Sequence, residues 1–170
     1  MSVRMNVTLN GELGGLDGLT ERLTAAAAEG MRAGLLPMER TAKQLCPVDT
    51  GDLRNSIRAE VQVKGSSVEG KLTANSDHAV YVEMGTGDVG RMSGGNGSGV
   101  QVSYRHGGWF VPLARGAVMV KDTILKDASA GFWTYGQPAR PYLYPAYRQH
   151  RDGLEKAIRS AMLKSLKGGG

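Results

Sequence analysis

The sequence predicts a fold that mixes α-helices with β-strands, with a long helix towards each end of its 170 residues. Apolar residues recur at helical spacing over residues 16–45 and again over 145–166. Between these two segments, residues 57–74 alternate apolar and polar side chains, as strands do. A chain of this length fits one domain, so we expect a single domain over residues 1–170 with a flexible tail at 168–170.

The first predicted elements are a strand and a long helix. Residues 3–9 alternate apolar and polar side chains, which predicts a half-buried strand. The helix predicted from about residue 16 to residue 45 contains Gly30, Gly34 and Pro37. Proline lacks the N–H of an interior helix position and clashes with the preceding turn, so we expect a kinked or divided helix.

The middle of the chain predicts a β-hairpin followed by a loop. Residues 57–63 and 68–74 flank the turn sequence KGSS, which favours two paired strands. Residues 78–84 predict a short strand or a helical turn. Residues 85–108 are rich in glycine and lack periodicity, which favours a long mobile loop, within an insertion at 88–134.

The C-terminal third predicts a strand within residues 109–120, leaves 121–132 undecided, and ends in a helix. This helix is expected from about residue 145 to 166, because Pro145 suits a first helical position. Its last turn carries Lys164 and Lys167, which suit the negative end of the helix dipole.

Two short motifs resemble catalytic or cofactor motifs in the wrong context. Residues 85–90 match the dinucleotide-binding pattern G-x-G-x-x-G, but residues 91–97 do not favour the helix that should follow, and no acidic residue stands about twenty positions on. The triplet Asp49-Thr50-Gly51 occurs in aspartic proteases, which need two carboxylates in a rigid cleft. Here Asp49 suits a helix N-cap and Asp52 the first helical turn, which is the interpretation we favour.

Composition narrows the function classes. The formal charge of +5 and the pI near 9.5 attract polyanions, so a basic nucleic-acid-binding module is an alternative function. The single cysteine, Cys46, excludes an internal disulfide and indicates a reducing compartment; it suits the core better than a nucleophilic role. The three dispersed histidines predict no metal site. No apolar run predicts a membrane span or a secretory signal peptide.

Candidate interaction residues cluster near the C-terminal helix. Five aromatic residues lie within residues 133–147 beside two arginines, and tyrosine, tryptophan and arginine dominate interface hot spots. The alternative is a local core that seals the helix onto the sheet. Glu83, an acid in an apolar segment, could pair with Arg54, Arg140 or a neighbouring subunit, or lie at an exposed edge. The predicted subunit-interface residues are Glu83, Trp133, Tyr135, Arg140, Tyr142, Tyr144 and Arg148.

Three segments stand in a fixed order: a first block at residues 47–57 (PVDTGDLRNSI), a second block at 79–87 (AVYVEMGTG) and a third block at 138–146 (PARPYLYPA). With the two long helices, they make residues 15–165 resemble the neck and tail-completion (head–tail joining) proteins of long-tailed bacteriophages, including minor tail proteins of the lambda Z type. The segment 88–134 is longer than the corresponding connection in that family, and Met84 stands where an aromatic residue is common.

The resemblance implies an α+β subunit in which the helices pack on a small, mostly antiparallel sheet. It also implies a structural protein with no catalytic residues and no cofactor, located in the virion neck or tail after assembly in the host cytoplasm. The implied partners are further copies of the chain in a closed ring, the phage connector and head-completion proteins, the tail-terminator and tail-tube proteins, and DNA in the channel through non-specific contact.

Overall fold

The computed structural model describes residues 2–8, 17–112 and 131–167. The fold class is α+β, as predicted. The elements are β1 (Ser2–Thr8), α1 (Asp17–Leu45), α2 (Asp52–Asn55), β2 (Ile57–Lys64), β3 (Ser67–Ala74), α3 (Ala79–Met84), α4 (Gly87–Met92), β4 (Trp109–Val111), β5 (Phe132–Thr134) and α5 (Leu143–Lys167).

The main sheet has three strands in the order β1-β3-β2, and each neighbouring pair is antiparallel. The predicted hairpin is confirmed: β2 pairs with β3 from Ile57↔Ala74 to Lys64↔Ser67. Gly65 takes a positive φ of 59° in the two-residue turn, a conformation that glycine adopts without steric cost. The short strands β4 and β5 form a separate antiparallel pair.

The helix α1 is continuous through Pro37, so the expected division of this helix is not found. Gly30 and Gly34, which the sequence suggested as weak points, are the places where α5 comes closest. A Cβ atom on Gly30 would lie 2.6 Å from the Cα of Ile158, and one on Gly34 would lie 2.7 Å from the Cα of Leu154. Both glycines therefore allow the two helices to pack backbone against backbone.

The core lies between α1, α5 and one face of the sheet. Alternate residues of β3 are buried, as the alternating sequence predicted. The largest fully buried apolar side chains are Met31, Leu35, Met38, Ile57, Val68, Leu72, Tyr142 and Leu143. Cys46 is also buried, as predicted, and this burial raises the pKa of its thiol, which makes it a poor nucleophile.

The glycine-rich segment differs from its prediction. Residues 91–97 were expected to prevent a helix after the G-x-G-x-x-G pattern, but α4 begins at Gly87, inside that pattern, and ends at Met92. Residues 93–108 contain no regular element, yet Tyr104 donates a hydrogen bond to the carbonyl of Met84 at 2.9 Å. The prediction of a structureless loop over residues 85–108 was therefore wrong for its first third.

Three smaller differences concern element boundaries. Residues 78–84 form a helix rather than a strand. The strand expected within residues 109–120 is only three residues long where the structure describes it. The last helix begins at Leu143, two residues before Pro145, because a buried side chain caps its first turn as described below. The predictions for residues 121–130 and for the tail at 168–170 lie outside the described residues.

Candidate functional site

The three blocks meet around one open cleft of about 720 Å³. The first block lines it with residues 47–53, and the second and third blocks contribute Tyr81, Val82, Thr86, Pro138 and Arg140. Gln137, Ser76 and His78 complete the wall. Segments up to about ninety residues apart in the chain thus build a single surface feature, which we call the three-block cleft.

The first block forms its wall by ending one helix and starting another. The amide of Cys46 donates the last bond of α1, to the carbonyl of Ala42 at 2.9 Å. The chain then reverses through Gly51, whose φ of 93° favours glycine, and enters α2. Gly51 occupies the N-cap position, so the N-cap role expected for Asp49 is not found. Asp52 lies in the first turn of α2, as predicted, and accepts a hydrogen bond from the Thr50 hydroxyl at 2.7 Å.

Asp49 itself is exposed at the cleft wall. An aspartic protease dyad requires two carboxylates that share a proton in an enclosed, rigid site. The cleft around Asp49 is open to solvent, and the structure gives this residue no such enclosure.

The second block is organised by Glu83, which is fully buried in α3. Its Oε2 atom accepts hydrogen bonds from the backbone N–H groups of Tyr142 at 2.8 Å and Leu143 at 3.0 Å. Its Oε1 atom accepts from the N–H of Tyr144 at 2.9 Å and from the Asn96 side chain at 3.1 Å. A carboxylate in this position satisfies the free amides at the start of α5 and interacts favourably with the positive end of the helix dipole.

This arrangement corrects both interpretations of Glu83 made from the sequence. The residue is not at an exposed edge, and its partners in the described residues are amides rather than Arg54 or Arg140. A buried acid that links α3, α5 and the glycine-rich segment has no local sequence signature, because its partners come from residues 96 and 142–144.

The third block is tied to the second by backbone hydrogen bonds. The N–H of Arg140 donates to the carbonyl of Val82 at 2.8 Å, and the N–H of Thr86 donates to the carbonyl of Gln137 at 2.9 Å. The Thr86 hydroxyl accepts from the N–H of Gln137 at 3.1 Å, and the Ser93 hydroxyl accepts from the N–H of Ala139 at 3.0 Å. Residues 137–140 therefore lie fixed along α3 and α4 and hold Arg140 at the cleft.

Tyr142 packs inside the chain beneath these bonds. Its side chain is fully buried, and its hydroxyl has no hydrogen-bond partner within the described residues. Burial, together with the nearby Glu83 carboxyl, raises the pKa of Tyr142 well above its usual range. This hydroxyl therefore stays protonated at all physiological pH values.

The aromatic cluster divides between core and surface. Tyr142 belongs to the core, whereas Trp133 and Tyr135 are 69% and 58% exposed. The Trp133 ring contacts Phe110 edge-on, with centroids 6.1 Å apart. Tyr144 is half-buried beside Tyr147, and Arg140 and Arg148 are exposed. Both interpretations of the cluster thus apply, each to different residues, and the interface hypothesis is limited below to its exposed and half-buried members.

The glycine-rich segment is held against α4 by Asp88. Its carboxylate accepts from the N–H of Gly107 at 3.0 Å and lies 3.1 Å from the His106 ring. The N–H of Gly107, and then the His106 ring, lower the pKa of Asp88 below its usual value. On the other side of this segment, the Arg105 guanidinium lies over the Trp109 ring at 5.4 Å.

The solvent side of α5 carries a separate basic surface. Lys156, Arg159, Lys164 and Lys167 surround a shallow depression of about 530 Å³ together with Ser160 and Leu163. The described residues contain no helix long and apolar enough to cross a membrane. In the same part of the chain, no group of three histidines, cysteines or acids is placed to hold a metal ion.

Comparison with known proteins identifies one family. Residues 14–85 match the model of the family described as "Bacteriophage HK97-gp10, putative tail-component". No curated protein and no solved structure matches the chain. The match confirms the predicted resemblance over α1, the hairpin and the first and second blocks, and it supports a structural role as a phage tail component located in the virion. The third block and α5 lie outside the matched residues.

Proposed function

From the family match over residues 14–85, we propose that the chain is a neck subunit of a long-tailed phage or phage-like particle. In this proposal, copies of the chain form a ring around the DNA channel and join the tail to the head connector. The observation that carries it is the convergence of all three blocks on one exposed cleft, because the residues of the resemblance then describe a surface as well as a core.

The surface around the cleft has the chemistry of a protein interface. Tyr81 is 52% exposed and Val48 is 55% exposed, so two apolar side chains line a concave surface. Arg140 adds a fixed cation, because its backbone N–H is held by Val82. Concave apolar surface with an anchored arginine is typical of sites where one protein docks on another.

A second exposed surface consists of Phe110, Trp133 and Tyr135, which we call the aromatic ridge. A ring of identical subunits uses two different surfaces of each chain, one on either side of the contact. The aromatic ridge and the three-block cleft, with Tyr144 and Arg148 beside it on α5, are our candidates for contacts with neighbouring copies, connector proteins or tail-tube proteins.

The proposal is tested by assembly. We expect the purified protein to form a discrete multimer by light scattering, or to do so on addition of tail tubes or connector rings. Alanine at Trp133, Tyr135, Arg140 or Arg148 should weaken capture by tail ends at least about thirtyfold at an interface hot spot. Leu163→Ala and Arg159→Ala are matched controls, because both side chains are exposed on α5 away from the cleft.

Unchanged assembly in all four variants would show that neither surface forms the contact. Tyr142 and Glu83 are left out of this test, because both are buried and their replacement disturbs the fold itself.

A nucleic-acid-binding module is the second candidate, and the basic depression on α5 favours it. Four cations over the last three turns would contact phosphates without reading base sequence. If this surface binds duplex DNA, the logarithm of affinity should fall with the logarithm of salt concentration with a slope of about −0.9 for each phosphate contacted. Tight binding of this kind by a strictly monomeric protein would favour the module over the neck subunit.

A further inference from the structure

Both outer edges of the three-stranded sheet are open within the described residues. β3 lies in the centre, and β1 and β2 flank it without a further strand. Both flanking strands run antiparallel to β3, so they run parallel to each other. An open edge exposes a row of backbone N–H and C=O groups that can pair with another strand.

Three hydrogen bonds show which groups of β2 point outwards. The N–H of Ala59 donates to the Glu39 carboxylate at 2.9 Å, away from β3, whereas the carbonyl of Ser56 accepts from Asn75 across the hairpin. The carbonyl of Arg58 accepts from the Thr73 hydroxyl on β3. Since backbone groups alternate in direction along a strand, the odd-numbered residues of β2 point outwards. Val61 and Val63 therefore present unpaired N–H and C=O groups at this edge.

The edge of β2 is blocked at one end and open at the other. Glu39 on α1 occupies the N–H of Ala59. Burial raises the pKa of Glu39, but the Lys43 ammonium and this N–H outweigh that effect and leave it below its usual value, so the acceptor is charged at neutral pH. Val63 has no such cover, and its side chain is 49% exposed.

The same alternation defines the free edge of β1. Residues of β3 that point away from β2 are the even-numbered ones, and Val68 and Leu72 lie opposite Val7 and Val3 in the register. The odd-numbered residues of β1 therefore pair with β3. The outward backbone groups belong to Ser2, Arg4, Asn6 and Thr8.

We propose that the β2 edge at Val61 and Val63 pairs in parallel with the β1 edge of a second copy of this chain, so that the sheet continues from subunit to subunit. The inference rests on the proposed ring. Rotation about a ring axis keeps the direction of each subunit around the ring, so the β1 edge of one copy meets the β2 edge of the next with both strands pointing the same way. Each copy then offers one edge and receives another, which is the head-to-tail contact that closes a ring.

The occupant follows from the two edges themselves. Main-chain pairing supplies affinity in strand addition without a specific side-chain pocket, and both complementary edges are present on every copy. The exposed Val63 side chain would be covered by the added strand, and Glu39 would end the paired stretch at Ala59.

Proline substitutions test the pairing without breaking the sheet of the subunit. Proline is tolerated on an edge strand where its missing N–H faces outwards. Val63→Pro removes one outward N–H of β2, and Asn6→Pro removes one of β1. Val63→Ala is the matched control, because it shortens the side chain and keeps the N–H. Circular dichroism and the thermal midpoint check that each variant is folded.

We expect the wild type and Val63→Ala to form the same multimer by light scattering and each proline variant to be monomeric. An equimolar mixture of the two proline variants should give dimers and nothing larger, because each retains the edge that the other lacks. A multimer that survives in folded Val63→Pro overturns the inference while the neck proposal stands. Equal loss in Val63→Ala also overturns it and assigns the contact to the side chain.

A wild type that is monomeric at every concentration overturns pairing between copies. Capture by tail ends is measured separately, and the neck proposal fails only if that capture and the multimer are both absent.

Discussion

The helical layer and the three-block cleft are held together by different forces. α1 and α5 pack through apolar side chains and through Gly30 and Gly34, which bring the helix backbones together. The cleft instead depends on hydrogen bonds that converge on the single buried carboxylate of Glu83. Apolar packing is spread over many contacts and tolerates single changes, whereas a polar network fails when one member leaves its partners unsatisfied.

The largest predicted effect is at Glu83. Glu83→Ala removes the acceptor of three backbone N–H groups and the Asn96 amide, all near the buried start of α5. Leaving a buried hydrogen-bonded network without its charged member costs about 3–5 kcal/mol. Glu83→Gln keeps one acceptor oxygen and should lose less. Urea unfolding measures both, with the exposed Glu155→Gln on α5 as control. A loss below about 1 kcal/mol for Glu83→Ala would mean that the carboxylate does not hold the cleft.

The second prediction concerns the helical layer. Gly30→Ala places a methyl group 2.6 Å from the backbone of Ile158, which forces the helices apart and should cost about 1–3 kcal/mol. Gly153→Ala on α5 has nothing within 4 Å and should instead stabilise the protein by roughly 0.5–1 kcal/mol through helix propensity. Thermal unfolding of the two variants should therefore shift in opposite directions. A stabilising Gly30→Ala would contradict the close approach of the helices.

The third prediction tests the boundary between the two regions at Tyr142. Its buried hydroxyl has no partner in the described residues, so Tyr142→Phe removes an unsatisfied polar atom and keeps the ring. We expect the free energy of unfolding to stay equal or to rise by about 1 kcal/mol. Tyr144→Phe is the control, because that side chain is only partly buried. A clear loss of stability in Tyr142→Phe alone would show that the hydroxyl has a partner, such as an ordered water molecule.

The smallest effect is expected at Asp88, at the outer side of the cleft region. The Gly107 N–H and the His106 ring lower its pKa from the usual 3.8. A depressed folded-state pKa stabilises the protein above the unfolded value, and this contribution is lost as pH falls through the lower folded value. The small difference between wild type and Asp88→Asn should thus be constant near neutral pH and disappear at strongly acidic pH. Thermal midpoints across pH measure it, and a difference that grows on acidification would have the wrong sign.

Much of the helical layer and the sheet could be predicted because their patterns are local. The spacing of apolar residues gave the bounds of α1 within one residue, and alternation with a glycine turn gave the β2–β3 hairpin. α4 was missed because four glycines near a loop composition disfavour a helix, and its hydrogen bonds to Tyr135 and residues 104–107 come from distant segments. Propensity is a weak prior where tertiary bonds of this kind exist.

The sequence by itself determined the α+β class, the order of the three blocks and the resemblance to phage tail components, because periodicity and motif order are properties of the linear chain. Only the tertiary structure decided that Glu83 caps α5, that Tyr142 is core while Trp133 is surface, and that Gly30 and Gly34 are contact points. The physical reason is that burial and hydrogen-bond partners depend on which distant segments approach each other, and neither helical nor strand periodicity contains that information.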